Sequence, residues 1–197
     1  DVTINGVGIT SLIQAGSAGN GIDRVMQIAS GKTVTLTYIA IANGKCSGCN
    51  GGGIYNDGAL TADHLTLSGN SAVVGGGIFT AGALTVTGST FSSNTSSSYG
   101  AGIVSDSGTT VEISNSSFSG NIAGIYGGAI HSSSTTLTVK NSTFSGNSNG
   151  ILNGGSSTLN LYNTIIANST GTDCENYGTI GTEKNNLIWT GHYWENT

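Results

Sequence analysis

The sequence predicts an all-β fold, a parallel β-helix of about seven coils. Three observations carry this: a block recurring at a steady interval, apolar residues alternating within it, and glycine or asparagine at matching places between the alternating runs. Residues 51–70, GGGIYNDGALTADHLTLSGN, return as residues 75–94, GGGIFTAGALTVTGSTFSSN. Looser copies run from Gly100 to Asn121 and from Gly127 to Asn147, and a worn one passes through LNLYNTIIAN to Asn168. The first apolar residue of each x-T-x core falls at Val34, Leu60, Leu84, Val111, Leu137 and Leu159, in steps of 26, 24, 27, 26 and 22 residues. The closing asparagines, Asn43, Asn70, Asn94, Asn121, Asn147 and Asn168, step by 27, 24, 27, 26 and 21.

Inside the copies, Val34-Thr35-Leu36, Leu84-Thr85-Val86, Val111-Glu112-Ile113 and Leu137-Thr138-Val139 alternate with period two, which is strand spacing. A helical repeat would set apolar residues three and four apart. Residues 28–170 read as regular coils. Residues 1–27 keep strand-like alternation without the landmarks and read as an N-terminal cap and atypical first coil. Residues 171–197 read as a terminal coil with an aromatic cap. Ile28 stands six residues before Val34, as Ile54 does before Leu60, and is expected to share its column.

Ile54, Ile78, Ile103, Ile130 and Ile151 follow small residues, which lets the chain take positive φ there. Gly88, Asn115, Asn141 and Asn163 occupy matching bends, where glycine and asparagine best tolerate the left-handed region. Leu67, Phe91, Phe118, Phe144 or Ile165 then precedes the closing asparagine by three. The six closing asparagines are expected to stack as a buried amide ladder. A calcium site would call for several carboxylates beside them, and none accompany them.

The 197 residues carry 8% charged side chains, against roughly 25% in an ordinary domain, and no proline, which suits continuous ladders. Net charge is −5, and the basic residues Arg24, Lys32, Lys45, Lys140 and Lys184 are scattered, which argues against nucleic acid. No apolar run approaches the roughly 20 residues of a helical membrane span. The start at Asp1 reads as a processed chain or a fragment.

Cys46 and Cys49, in the glycine-rich bend KCSGCNGGG, are a disulfide candidate; a zinc site would need two more ligands, and a redox motif a strand-then-helix setting. Cys174 lies about five coils away, beyond ~20 Å, so it should be free or bonded to another molecule.

GGGIYNDGALT, GGGIF, YGGAI and FSSN, FSGN, FSGN resemble the GGA[ILV] and FxxN repeats of polymorphic outer-membrane-type proteins. They are also similar to secreted bacterial β-helix proteins with variable C-terminal anchors, whose terminal coil NTIIANSTGTDCENYGTIGTEKNNLIW resembles. The resemblance spans roughly residues 28 to 189. It implies an extracellular, secreted right-handed parallel β-helix at the cell surface, a stalk or adhesin, and no shared catalytic residue.

No catalytic, metal or cofactor site is expected. A polysaccharide-active β-helix enzyme would gather carboxylates and bases on adjacent coils. Here Asp57 and Asp106 share a position two coils apart, and His64, His131 and His192 fall in different places. The column Thr35, Thr61, Thr85, Glu112, Thr138, Asn160 is similar to that of ice-binding β-helices, but Glu112 and Asn160 interrupt it. The stripe Tyr55, Phe79, Val104, His131, Leu152 is apolar enough to be covered by another subunit, to contact surface glycans, or to be buried in its own coil. Asn115 and Asn141 head Asn-X-Ser/Thr triplets and are candidate glycan acceptors. Trp189, Tyr193 and Trp194 form either a cap or a dock for the first coil of another copy. The expected partners are copies of this chain, with surface glycans as the alternative.

Overall fold

The computed structural model describes residues 1–7, 11–15 and 23–190. Among these residues every regular element is a strand, and every strand pairing is parallel, between one coil and the next. A first sheet of eight strands runs from Val2–Asn5 through Thr33–Thr37 and Ala59–Asp63 to Thr179–Lys184. A second, also of eight, runs from Leu12–Gln14 through Ala40–Ala42 and Thr66–Ser68 to Leu187–Ile188. A third holds four strands, Lys45–Asn50, Ser71–Val74, Thr95–Tyr99 and Ile122–Ala123. A fourth, of seven, runs from Met26–Ile28 and Ile54–Asn56 to Cys174–Asn176. The chain is therefore a parallel β-helix, and the third sheet makes it four-sided over only part of its length.

Alternation sends one residue in two inward, so each sheet contributes columns to a continuous core. Val34, Leu60, Leu84, Val111, Leu137 and Leu159 stack in register in the first sheet. Ile41, Leu67, Phe91, Phe118, Phe144 and Ile166 do so in the second. The rings of Phe91, Phe118 and Phe144 lie nearly parallel, with centroids 4.5 and 4.6 Å apart, so each phenyl packs on its equivalents rather than into a lone socket.

Turning the corners of such a coil aims backbone groups at the core, and buried side chains take them up. Asn70, Asn94, Asn121 and Asn147 are fully buried in single file. Asn70 Nδ2 donates to Asn94 Oδ1 at 3.0 Å, Asn94 Nδ2 to Asn121 Oδ1 at 3.0 Å, and Asn121 Nδ2 to Asn147 Oδ1 at 2.9 Å. Each Oδ1 also accepts the backbone N–H of the rung before, and each Nδ2 donates to a carbonyl about one coil back along the chain, at Ile41, Leu67 and Phe91 in turn.

Asn43 and Asn168 do not belong to this file. Each inward amide lies eleven residues after its first-sheet strand begins: 59 to 70, 83 to 94, 110 to 121 and 136 to 147. The same count from Thr33 and Thr158 reaches Gly44 and Ser169. Asn43 and Asn168 sit one residue short, at the left-handed corner (φ 60° and 59°) that Gly69, Gly120 and Gly146 hold elsewhere. A slip of one residue reverses the direction of a side chain, so Asn43 points outward to Gln14 Oε1. The same slip puts Ile166 rather than Ile165 behind Phe144 and leaves Ile165 exposed.

Two further polar files line the interior. Ser89, Ser116 and Ser142 are buried where the first sheet turns into the second, each Oγ accepting the N–H of the rung before at 3.0 to 3.2 Å. Asn56, Thr80, Ser105, Ser132, Asn153 and Asn176 stack at the end of the fourth-sheet strands. Ile28 pairs with Asn56, and Met26 with Ile54. The expected Ile28–Ile54 column is thus two residues out, because residues 29–32 form a longer turn than Asp57-Gly58. At the outer corner, Asn115, Asn141, Asn163 and Asn185 adopt φ of 49° to 57°, and each amide after the first donates to the one before.

Truncating Asn94 to Ala removes the acceptor of Asn70 N, one of the two acceptors of Asn70 Nδ2 and the side-chain donor to Leu67 O; at about 1–3 kcal/mol for each unsatisfied buried group, urea unfolding is expected to show a loss of ~3 kcal/mol. Asn43→Gly, at the left-handed surface corner where other coils carry glycine, is expected to cost under about 0.5 kcal/mol.

Candidate functional site

The stripe beside the glycines is largely closed by its own chain. Gln27, Tyr55, Phe79, Val104, His131, Leu152 and Glu175 stand in register along the outer face of the fourth sheet. Phe79 is only 8% exposed and Val104 only 3%. The cause is the corner from the third sheet: Gly75, Gly100 and Gly127 take positive φ and fold the backbone back over the stripe. A side chain on Gly100 would run into Cγ2 of Val104. Tyr55 packs on Phe79 at 5.2 Å, and His131 on Tyr99 at 5.0 Å. Phe79 therefore packs within its own coil, the last of the three states expected for this stripe, and His131 is half-buried against Tyr99. His131 Nδ1 is buried without a partner, and burial holds the imidazole below its usual pKa against an opposing pull from Asp106.

Cys46 and Cys49 are joined in a disulfide, with Cα atoms 5.3 Å apart. KCSGCN is a six-residue strand at the edge of the third sheet, not a bend. The Asp23 carboxylate and both sulfurs lie within 4.8 Å of one another, but disulfide sulfurs offer no thiolate to a metal. Beside the disulfide lies an open cleft of about 430 Å³, lined by Arg24, Gln27, Asn50, Tyr55 and Asp57. Cys174 is free and buried, in register with Ile151 in the fourth sheet, which closes it to a bond with another molecule in the folded chain. Burial, with Glu183, Glu175 and Asp173 nearby, pushes its thiol up to about 12.

Asp57 and Asp106 follow the polar file on coils separated by the one that carries Ala81, which puts them about 10 Å apart. His64 bonds its neighbour Asp63 at 2.8 Å and stacks on Tyr38. The first sheet presents Thr35, Thr61, Thr85, Glu112, Thr138 and Asn160 as one outer column, with Thr33, Ala59, Ala83, Thr110, Thr136 and Thr158 beside it. Asn115 and Asn141 are exposed but hydrogen-bonded to each other at 3.4 Å.

At the C-terminal end Asp173, fully buried, supplies the acceptors that a further rung would bring. Its Oδ1 accepts Ser169 N at 2.9 Å, and its Oδ2 accepts Thr190 N and Oγ1, both at 2.8 Å. Burial raises its pKa, and the bonds from Ser169 and Thr190 outweigh that, holding it below the usual carboxylate range. Trp189 is 70% exposed and Leu187 53%. Tyr193 and Trp194, with His192, lie outside the described residues.

Sequence reasoning missed the serine file, the cleft at Arg24 and the role of Asp173. The serines were findable, since Ser89, Ser116 and Ser142 keep the repeat's own steps of 27 and 26. Arg24 and Asp57 lie in different coils, and no spacing rule joins them.

Residues 115–133 match the Chlamydia polymorphic membrane protein repeat. This stretch is about three-quarters of one coil, from the outer-corner Asn115 through Phe118 and Asn121 to the Gly127 corner and Ile130. No curated protein and no solved structure matches the chain. The repeat suggests a surface or outer-membrane-type protein, and together with the solenoid it fits a surface β-helix family of structural character. Among the described residues no helix is long and apolar enough to cross a membrane.

Because the folded pKa of His131 is depressed, the unfolded chain binds the proton first, so stability held at neutral pH is expected to fall below about pH 6.5; thermal unfolding from pH 7.5 to 5 should show this slope, and His131→Gln should flatten it. Asp173 works at the other end of the scale. Its contribution, present above about pH 3.9, is lost as pH falls through its lowered value, and Asp173→Asn is expected to speed amide exchange at Ser169 and Thr190 about tenfold at neutral pH, ~1.4 kcal/mol.

Proposed function

We propose that this chain is a non-catalytic structural β-helix secreted to the cell surface, a building element of an appendage, fibre or adhesin, and that its partners are copies of itself stacked end to end. One observation carries this reading. Among the described residues nothing pairs with the outer edges of Val2–Asn5 and Leu12–Gln14 at one end, or of Thr179–Lys184 and Leu187–Ile188 at the other. An open edge offers a row of N–H and C=O groups to another strand. Apolar side chains accompany both edges: Val2 and Leu12 at the first, Leu187 and Trp189 at the last.

The two ends suit each other in kind. Both expose strands of the same two sheets, so a second copy set on the first continues the first and second sheets with the parallel pairing used throughout. The scarcity of charge leaves little electrostatic repulsion between copies. The last first-sheet strand carries a bulge between Ile180 and Thr182, and Lys184 and Glu183 lie on it, features that tune an edge and do not cover it.

The test is assembly itself. Sedimentation and negative-stain microscopy are expected to show filaments or end-to-end oligomers for the intact chain, and single rods for the Leu187→Lys, Trp189→Ser double variant, with association weakened about thirtyfold or more. Rods that never associate in the intact chain, or assembly unchanged in the variant, would refute the proposal.

A further inference from the structure

We infer that the cleft at the N-terminal end of the fourth sheet binds an acidic sugar unit, with the Arg24 guanidinium holding its carboxylate. This goes beyond the structural role proposed above and does not depend on assembly.

The reasoning starts from Arg24. Its Nη1 lies 3.5 Å from Gln27 Oε1, at the long limit of hydrogen bonding, its Nη2 lies 3.5 Å from Cys46 Sγ, an ordinary length to the larger sulfur but a weak acceptor, and its guanidinium carbon stands 4.8 Å over the Tyr55 ring. Among the described residues it forms no ion pair, although the chain carries ten acidic side chains against five basic ones. A guanidinium has five N–H donors in a planar fork suited to a carboxylate, and one long contact and one to a weak sulfur acceptor leave most of that capacity open toward the cleft. The Cys46–Cys49 disulfide fixes the wall behind it, and the ring of Tyr55 fixes its plane, so the group is held in place before any ligand arrives.

The rest of the lining sets the class of ligand. Gln27 and Asn50 bring amides, and Asp57 brings a carboxylate that interacts with the Tyr55 hydroxyl. Donors and acceptors in alternation match a ring bearing hydroxyls, each of which both donates and accepts. Both faces of Tyr55 are taken, one by Arg24 and the other by Phe79, so no apolar slot remains for a peptide side chain. Asp57 at the cleft and Asp23 beside the disulfide, set against a single guanidinium, disfavour a phosphate dianion more than a monoanionic carboxylate. The volume, about 430 Å³ and open to solvent, is within the range of small-ligand sites and leaves both ends of a glycan free to continue.

The probes are glucuronate, with galactose and acetate as controls, followed by ligand-observed NMR on the intact chain. Glucuronate is expected to bind saturably and more weakly as salt rises, and galactose and acetate not at the same concentrations. Arg24→Gln should weaken glucuronate about tenfold or more, with the unfolding temperature unchanged. Asp57→Asn, which leaves the guanidinium in place and removes a negative charge beside the ligand, should strengthen glucuronate binding and lessen the discrimination against a phosphate dianion. The inference is overturned if glucuronate fails to bind the intact chain, if Arg24→Gln binds it equally, or if acetate competes as well as glucuronate, which would mark a simple anion site. Assembly measured in the same samples is expected to be unaffected by either variant, so loss of sugar binding and loss of stacking are read separately.

Discussion

A carboxamide that donates one hydrogen bond along the stack and another into a neighbouring corner is what lets this chain bend without leaving polar backbone stranded. Among the described residues the solenoid has no helices to close their own hydrogen bonds. Each turn toward the axis exposes N–H and C=O groups to a core of Leu, Ile, Val and Phe, where an unmet group costs more than a typical hydrogen bond gains. Asn70, Asn94, Asn121 and Asn147 answer this at one corner, serines at a second, and a mixed file of Asn, Thr and Ser at a third. The apolar columns supply the driving force, and the polar files make the shape of the coil unique.

The ends of the asparagine file show how such a column is closed. At the start Gly44 donates its N–H to Asn70 Oδ1, a rung that contributes backbone only. At the finish Ser169 occupies the amide position and Asp173 folds in from the next turn to receive its N–H and those of Thr190. A carboxylate is the stronger acceptor and carries no donor, which is the right chemistry where no further carbonyl is waiting. The terminal coil is thus shaped by the same requirement as the interior ones.

Much of this architecture was legible in the residues. Alternation within x-T-x segments and the steady step between them fixed the parallel stack, and glycine or asparagine at recurrent bends marked the left-handed corners, as at Gly88, Asn115, Asn141 and Asn163. The beat alone could not resolve a single-residue offset: Asn43 and Asn168 keep time with the inner amides yet face outward, because direction depends on parity and not on period. Ile28 misled for a related reason, as its turn is longer than those above it. The third sheet was hidden since its strands, such as Ser71–Val74 and Thr95–Tyr99, carry serine and small residues with a register break and so give no clear alternation. The cleft at Arg24 was invisible because it is assembled from separate coils.

The third side also explains where this molecule keeps its freedom to change. From the inward amide position to the next fourth-sheet strand the chain uses 10, 8, 9, 9, 4 and 5 residues, counted from 44, 70, 94, 121, 147 and 169 to 54, 78, 103, 130, 151 and 174, whereas the eleven-residue span before each amide never varies. The turn from the fourth sheet to the first varies by two residues as well, so insertions and deletions are absorbed mainly on the third-sheet flank and to a lesser degree at that turn, while the first and second sheets stay in phase. Like the spine of a book whose pages differ only at the open edge, the invariant half carries continuity, and the variable half is where a lineage can rewrite what the rod presents to its surroundings without disturbing how it stands.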